Sequence, residues 1–216
     1  MSTPRLRVLC YALLPLLAGC QTLSDDTDDY QPTQRLMGEL SVDQGRLMLQ
    51  PCGAARSFTV EDAGPLGLVA QAEQLLGDSA GRLFADLGGT DLGNRMRATR
   101  LYRLQAEGHG CREEGFPRLI ARASGNEPFW NVSITAQGLV LERPGEPPLA
   151  LPYLEEQLPE GRLYFSSEAD GQRLSLWLAP QRCQDGMSGA LRHLSAELRL
   201  NDQRFTGCGY LGGARQ

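Results

Sequence analysis

Cys20 closes the string Leu17-Ala18-Gly19-Cys20, and its thiol is placed for acylation once the chain is cut before it. Arg5 and Arg7 come first, then an apolar run from Val8 to Leu17 too short to span a bilayer, then small residues before the cysteine. These are the three zones of a bacterial lipoprotein signal. They predict that residues 1–19 are removed and that the mature chain starts at a lipidated Cys20. Several acyl chains there would exceed the marginal hold of one, anchoring the protein in the cell envelope outside the cytoplasm. Beyond Cys20 lie Cys52, Cys111, Cys183 and Cys208, an even number for a compartment that favours disulfides. Arithmetic allows three pairings. Cys52 with Cys111 and Cys183 with Cys208 would keep each bridge within one candidate domain, whereas crossed bridges would need only a different packing.

Other chemistry has less to build on. A copper or zinc site from Cys183, Met187, His193 and Cys208 would need reduced thiols, and metal-ligand spacing such as Cys-x-x-Cys does not occur. No metal or cofactor is therefore expected. His109 and His193 are the two histidines, and neither accompanies a glycine-serine elbow or a free thiol, so nucleophilic catalysis has no constellation. Two carboxylates remain as an acid–base pair, Glu127 and Asp185, but their spacing does not set their separation. Both lie in distinctive strings: Gly125-Asn126-Glu127-Pro128-Phe129-Trp130 and Cys183-Gln184-Asp185-Gly186-Met187-Ser188-Gly189. Asn126, Glu127, Phe129, Trp130, Asp185, Met187 and Ser188 form the candidate binding motif. Trp130, on an alternating strand, reads as a core residue rather than a ligand platform.

The elements that must position these residues are short strands. Gln21 to Gln34 holds Asp25, Asp26, Asp28 and Asp29 without apolar periodicity and reads as an acidic flexible tether spanning 20–34. Calcium binding there would need a glycine turn and a distal glutamate, which do not follow. From Arg35 the pattern alternates. Leu36, Gly38, Leu40 and Val42 share a face, Asp43-Gln44-Gly45 turns into Arg46–Gln50, and Ser57–Val60 gives a third strand. Leu68, Ala72, Leu75 and Leu76 recur at helical spacing between Pro65 and Gly77. Strands over 81–87 and 96–107 follow. Three strands, a helix and two strands predict a five-stranded OB-type barrel over 35–111. From Arg112 to the end the pattern is wholly β, with hairpin signals at Asp170-Gly171 and Asn201-Asp202, and predicts a small antiparallel barrel or sandwich. The fold class is mainly β.

The element order over 35–111, with a cysteine in the turn after the second strand, resembles the C-terminal OB domain of NlpE-type envelope lipoproteins. The Cys-x-x-Cys-bearing domain of those proteins has no counterpart here, so their copper handling and stress sensing do not carry over. The strings around Trp130 and Asp185, with Gly207-Cys208-Gly209, resemble a family of uncharacterised bacterial envelope lipoproteins over roughly residues 112–212. That resemblance brings no catalytic residues. Resemblance to enterobacterial lipoproteins implies that Asp after the lipidated cysteine retains a protein in the inner membrane. Gln21 stands there instead and favours the outer membrane, facing the periplasm.

Composition narrows the partners. The formal charge of −5 becomes −7 once Arg5 and Arg7 leave with the signal, so phosphate-rich partners are disfavoured. OB barrels that bind nucleic acid use a basic groove and stacking aromatics, and an acidic extracytoplasmic chain argues against that use. Arg95, Arg97, Arg100 and Arg103 cluster on the last barrel strand and read as a solvated face, with Arg97 and Arg103 opposite Arg100; an acidic partner such as lipopolysaccharide phosphate is the alternative. The expectation is a non-enzymatic, lipid-anchored binding or structural lipoprotein whose β domains contact an envelope protein or glycan. An inhibitor or sensor of an envelope enzyme, in the manner of lysozyme inhibitors, is the alternative, and an enzyme using Glu127 and Asp185 is the third reading.

Overall fold

The computed structural model describes residues 33–63, 66–77 and 81–215. Cys20, the signal, the tether up to residue 32 and Pro65 lie outside the described residues. The first barrel strand starts two residues before the expected tether boundary: β1 runs Thr33–Asp43, with Thr33 opposite Thr90 and Gln34 opposite Gly89.

The barrel strands continue with β2 (Arg46–Pro51), β3 (Phe58–Asp62), β4 (Leu83–Asp91) and β5 (Arg95–Gln105), and the helix α1 (Leu68–Leu76) lies between β3 and β4. β1 pairs with β2 and β4, β2 with β3, and β4 with β5, all antiparallel; β3 pairs parallel with β5 and closes the barrel. Closure follows from local pattern. Leu40, Leu47, Leu49, Val60, Leu83, Ala85, Leu87, Met96 and Ala98 all point inward, and α1 adds Leu68 and Ala72. The Gln44-Gly45 turn has both residues in the left-handed region, which matches the twist of a tight hairpin. Asp62 accepts the Leu68 amide at 2.9 Å, capping the first turn of α1, and the Gly77 amide donates to Glu73 at its end.

The second sheet has nine antiparallel strands: β6 (Leu119–Asn126), β7 (Phe129–Thr135), β8 (Gly138–Glu142), β9 (Leu149–Leu151), β10 (Leu154–Leu158), β11 (Arg162–Ala169), β12 (Gln172–Ala179), β15 (Leu194–Leu200) and β16 (Gln203–Leu211), with two-residue strands β13 (Cys183–Gln184) and β14 (Leu191–Arg192) before β15. Its order is β10-β11-β12-β15-β16-β6-β7-β8-β9, a sheet curled into a half-barrel around Trp130, Ile134, Phe165, Leu176 and Leu198. β10 has no counterpart in the sequence reading. Its Leu-Glu-Glu-Gln-Leu has no apolar alternation, as suits an edge strand that charge keeps from pairing further.

β13 and β14, which the sequence places in the second half, extend the barrel sheet instead: Leu191 pairs with Leu104, Arg192 with Arg103, and Leu191 joins the barrel core. β4 is buried on both faces, because Leu83, Ala85 and Leu87 fill the barrel while Phe84 and Asp86 on the other face meet Arg103. Among the described residues no helix is long and apolar enough to cross a membrane.

Candidate functional site

The two distinctive strings meet. β6 and β7 are joined by the Glu127–Pro128 turn, with Asn126 opposite Phe129, and the loop between β13 and β14 lies against that hairpin. The Asn126 amide donates to Asp185 Oδ2 at 2.9 Å. Asp185 Oδ1 accepts the Met187 amide at 3.1 Å, the Ser188 amide at 2.8 Å and the Ser188 hydroxyl at 2.8 Å. This is the turn chemistry for which Asp suits a loop: a carboxylate two and three residues before the amides it accepts. Burial pushes the Asp185 carboxyl up, but the Ser188 amide and hydroxyl, Asn126 and the Met187 amide outweigh it and hold it below the usual range. It is therefore an ionised brace with both oxygens occupied.

Around this brace the predicted residues divide. Trp130 is wholly enclosed, so it supports the hairpin from below and offers no surface to a ligand. Gly125 makes its room: a Cβ there would stand 2.4 Å from Trp130 Nε1 and 2.2 Å from the Thr206 carbonyl. Phe129 is 48% exposed and Met187 80% exposed, two apolar side chains projecting beside the braced loop. Glu127 and Ser188 are also exposed.

Cysteine chemistry is consumed in structure. Cys52 bonds Cys111, tying the end of β2 to the segment after β5, and Cys183 bonds Cys208, tying β13 to β16. With Cys183 and Cys208 bonded to each other, neither offers a thiolate to Met187 and His193. Among the described residues no group of three or more His, Cys, Asp or Glu side chains could hold a metal ion.

Sequence reading missed a charged network at the junction of the sheets. Arg35 Nε and Nη2 each donate to Asp86 at 2.7 Å, a bidentate pair. Arg103 Nε reaches the same carboxylate at 3.2 Å, and its Nη1 donates to Glu113 at 2.7 Å. Glu113 also accepts Arg122 at 2.7 Å and the Tyr210 hydroxyl at 2.8 Å. Arg35 continues to the carbonyls of Leu211 and Gly212, so one chain of bonds runs from β1 through β4 and β5 to β6 and β16. Burial raises the Glu113 pKa, but Arg103, Tyr210 and Arg122 together hold it below the usual range. Arg103 is 1% exposed and stacks 4.1 Å over Tyr210, so the expectation of a solvated face fails at this residue. The two one-residue bulges of β5 cancel by this point, so Arg103 keeps the outward side that alternation gives it and is buried because Glu113, Phe116 and Tyr210 cover that side. Arg192 completes the cluster by donating to the Ser124 hydroxyl at 2.6 Å and the Cys208 carbonyl at 3.2 Å.

On the outer face of the second sheet, Tyr164 and Trp177 stand opposite one another on β11 and β12 with ring centroids 4.3 Å apart. Trp177 is 40% exposed beside a cleft of about 570 Å³ that includes Arg162, Gln181, Glu197 and Arg199. Comparison with known proteins adds no relative: no family model, curated protein or solved structure matches this chain.

Proposed function

We propose that this is a non-enzymatic binding lipoprotein of the bacterial envelope, anchored through Cys20 and docking a partner protein by the rim that carries Phe129 and Met187. The observation that carries the reading is the Asp185 carboxylate, whose oxygens are spent on Asn126, Ser188 and Met187. A catalytic acid or base needs a free oxygen facing its substrate, whereas an anchor surface needs rigid, exposed apolar groups. Here the brace fixes the backbone that carries Met187, so less of that loop remains to be ordered on docking.

Two measurements test this. Cys20→Ser should release the protein from the membrane fraction and remove the fatty acid from its intact mass. A photo-crosslinking residue at position 129 or 187 should then give one discrete protein adduct in whole cells that is absent from position 154, an exposed leucine on β10. The same adduct from all three positions, or none, removes the docking reading.

A glycan partner is the second reading, favoured by the Trp177–Tyr164 pair. Soluble peptidoglycan fragments should quench the exposed Trp177 and leave the enclosed Trp130 unaffected; no quenching, or quenching that persists in Trp177→Ala, counts against it.

A further inference from the structure

The bulges of β5 leave Thr99 and Arg100 exposed side by side, where regular alternation would turn one of them inward. Gly88 and Gly89 lie across from them on β4. A Cβ on Gly89 would clash with the Arg97 carbonyl at 2.1 Å, and one on Gly88 would press on the Tyr102 ring at 3.1 Å. The result is a cleft of about 530 Å³ with Thr33, Arg35, Thr99, Arg100, Tyr102 and Arg215 on its walls. Three guanidinium groups and three hydroxyls line it, and among the described residues no carboxylate does.

The three arginines differ. Arg35 is held by Asp86 and by the Leu211 and Gly212 carbonyls, and Arg215 by Glu155, so both guanidinium groups are paired and stand at fixed positions on the wall. Among the described residues Arg100 has no carboxylate partner; it donates to the Tyr102 hydroxyl at 3.3 Å, which leaves its other N–H groups for the cleft. His193 lies edge-on to Tyr102 at 4.9 Å, on the inner side of the cleft. Burial lowers its pKa to about 4, with the Tyr102 backbone bond and Asp86 opposing and Arg35 and Arg100 adding to the fall.

We infer that this cleft binds a phosphate group, as the free ion or as a phosphate monoester, through Arg100 and the surrounding hydroxyls. A planar carboxylate would occupy one guanidinium fork, whereas a tetrahedral phosphate offers oxygens to donors on different walls, from β1, from β5 and from Arg215. This site is separate from the Phe129–Met187 rim, and its failure would leave the docking proposal standing.

Calorimetric titration of the full chain with inorganic phosphate and with glycerol 3-phosphate tests it, alongside the NMR signals of the His193 ring. Phosphate should bind and shift the His193 resonances. Arg100→Gln should weaken binding at least tenfold, and Arg97→Gln, which removes an exposed arginine of the same strand outside the cleft, should leave it unchanged. Tighter binding of glycerol 3-phosphate than of phosphate points to a lipid headgroup as the source, and the reverse order to the free ion. No binding of either ligand, or equal losses in the two variants, overturns the inference; the His193 shift on the unaltered chain keeps the test open if Arg100→Gln fails to fold.

Discussion

Asn126 and Asp185 are 59 residues apart in the chain and 2.9 Å apart in space, and through that bond the β6–β7 hairpin and the loop between β13 and β14 become one rim. The bond is charge-assisted and half-buried, so it carries more than a surface hydrogen bond between neutral groups would. It also ties the rim to the strand pair that extends the barrel sheet.

Asp185→Ala should lower stability by about 2–3 kcal/mol, because two backbone amides, the Ser188 hydroxyl and the Asn126 amide lose a charged acceptor together. Urea unfolding measures this, and hydrogen exchange should localise the loosening to residues 185–190. Asp185→Asn should cost less, since one oxygen still accepts.

Arg103→Met should cost about 3 kcal/mol even though the new side chain is apolar and fills similar space. Asp86 and Glu113 would keep Arg35 and Arg122 but lose the buried cation between them. Arg103→Lys should recover little, because an ammonium cannot bridge the two carboxylates with a planar fork. Thermal unfolding of the two variants side by side checks both.

The two disulfides should contribute by different routes. With sequence separations of 59 and 25 residues, chain entropy assigns about 4 kcal/mol to Cys52–Cys111 and about 3.5 kcal/mol to Cys183–Cys208. Removing Cys183–Cys208 as a double serine variant should also raise exchange at Leu191 and Arg192, because it frees the hairpin that pairs with β5. The Cys52/Cys111 double variant should leave those amides protected.

Stability should fall as the pH drops from about 6.5 toward 4. His193 is held neutral by burial with a folded pKa of about 4, against an ordinary 6.5. In that window the unfolded chain binds a proton that the folded chain refuses, so the stabilisation is complete above 6.5 and lost progressively below it, by on the order of 3 kcal/mol. Asp185 and Glu113, both depressed, add losses that begin as the unfolded carboxyls take up protons near their ordinary values of 3.8 and 4.5 and are complete only below that range, where the folded ones are protonated too. Denaturant midpoints measured across pH 4–7 for the unaltered chain and for His193→Gln should differ in slope, the variant being flatter.

Alternation in the chain was enough for the inner faces. Leu83, Ala85 and Leu87, or Trp130, Val132 and Ile134, announce a buried side because a strand exposes every second residue to one environment, and turn residues such as Gly45 and Gly171 mark where strands reverse. The mainly β class and the barrel order with its single helix follow from such local signals. The outer faces were beyond reach. Nothing near Asp86 or Arg103 says that β6 and β16, read from residues more than a hundred positions away for β16, will cover them. Covering residues come from distant chain, and a bulge of one residue reverses which side a charged group such as Arg100 occupies. The same holds for the rim: Asn126 and Asp185 each lie in a conspicuous string, yet their meeting depends on β14 pairing with β5 in the barrel sheet rather than with its chain neighbours in the second. Local periodicity encodes which residues leave water, and only the packing of remote strands decides which charges leave with them.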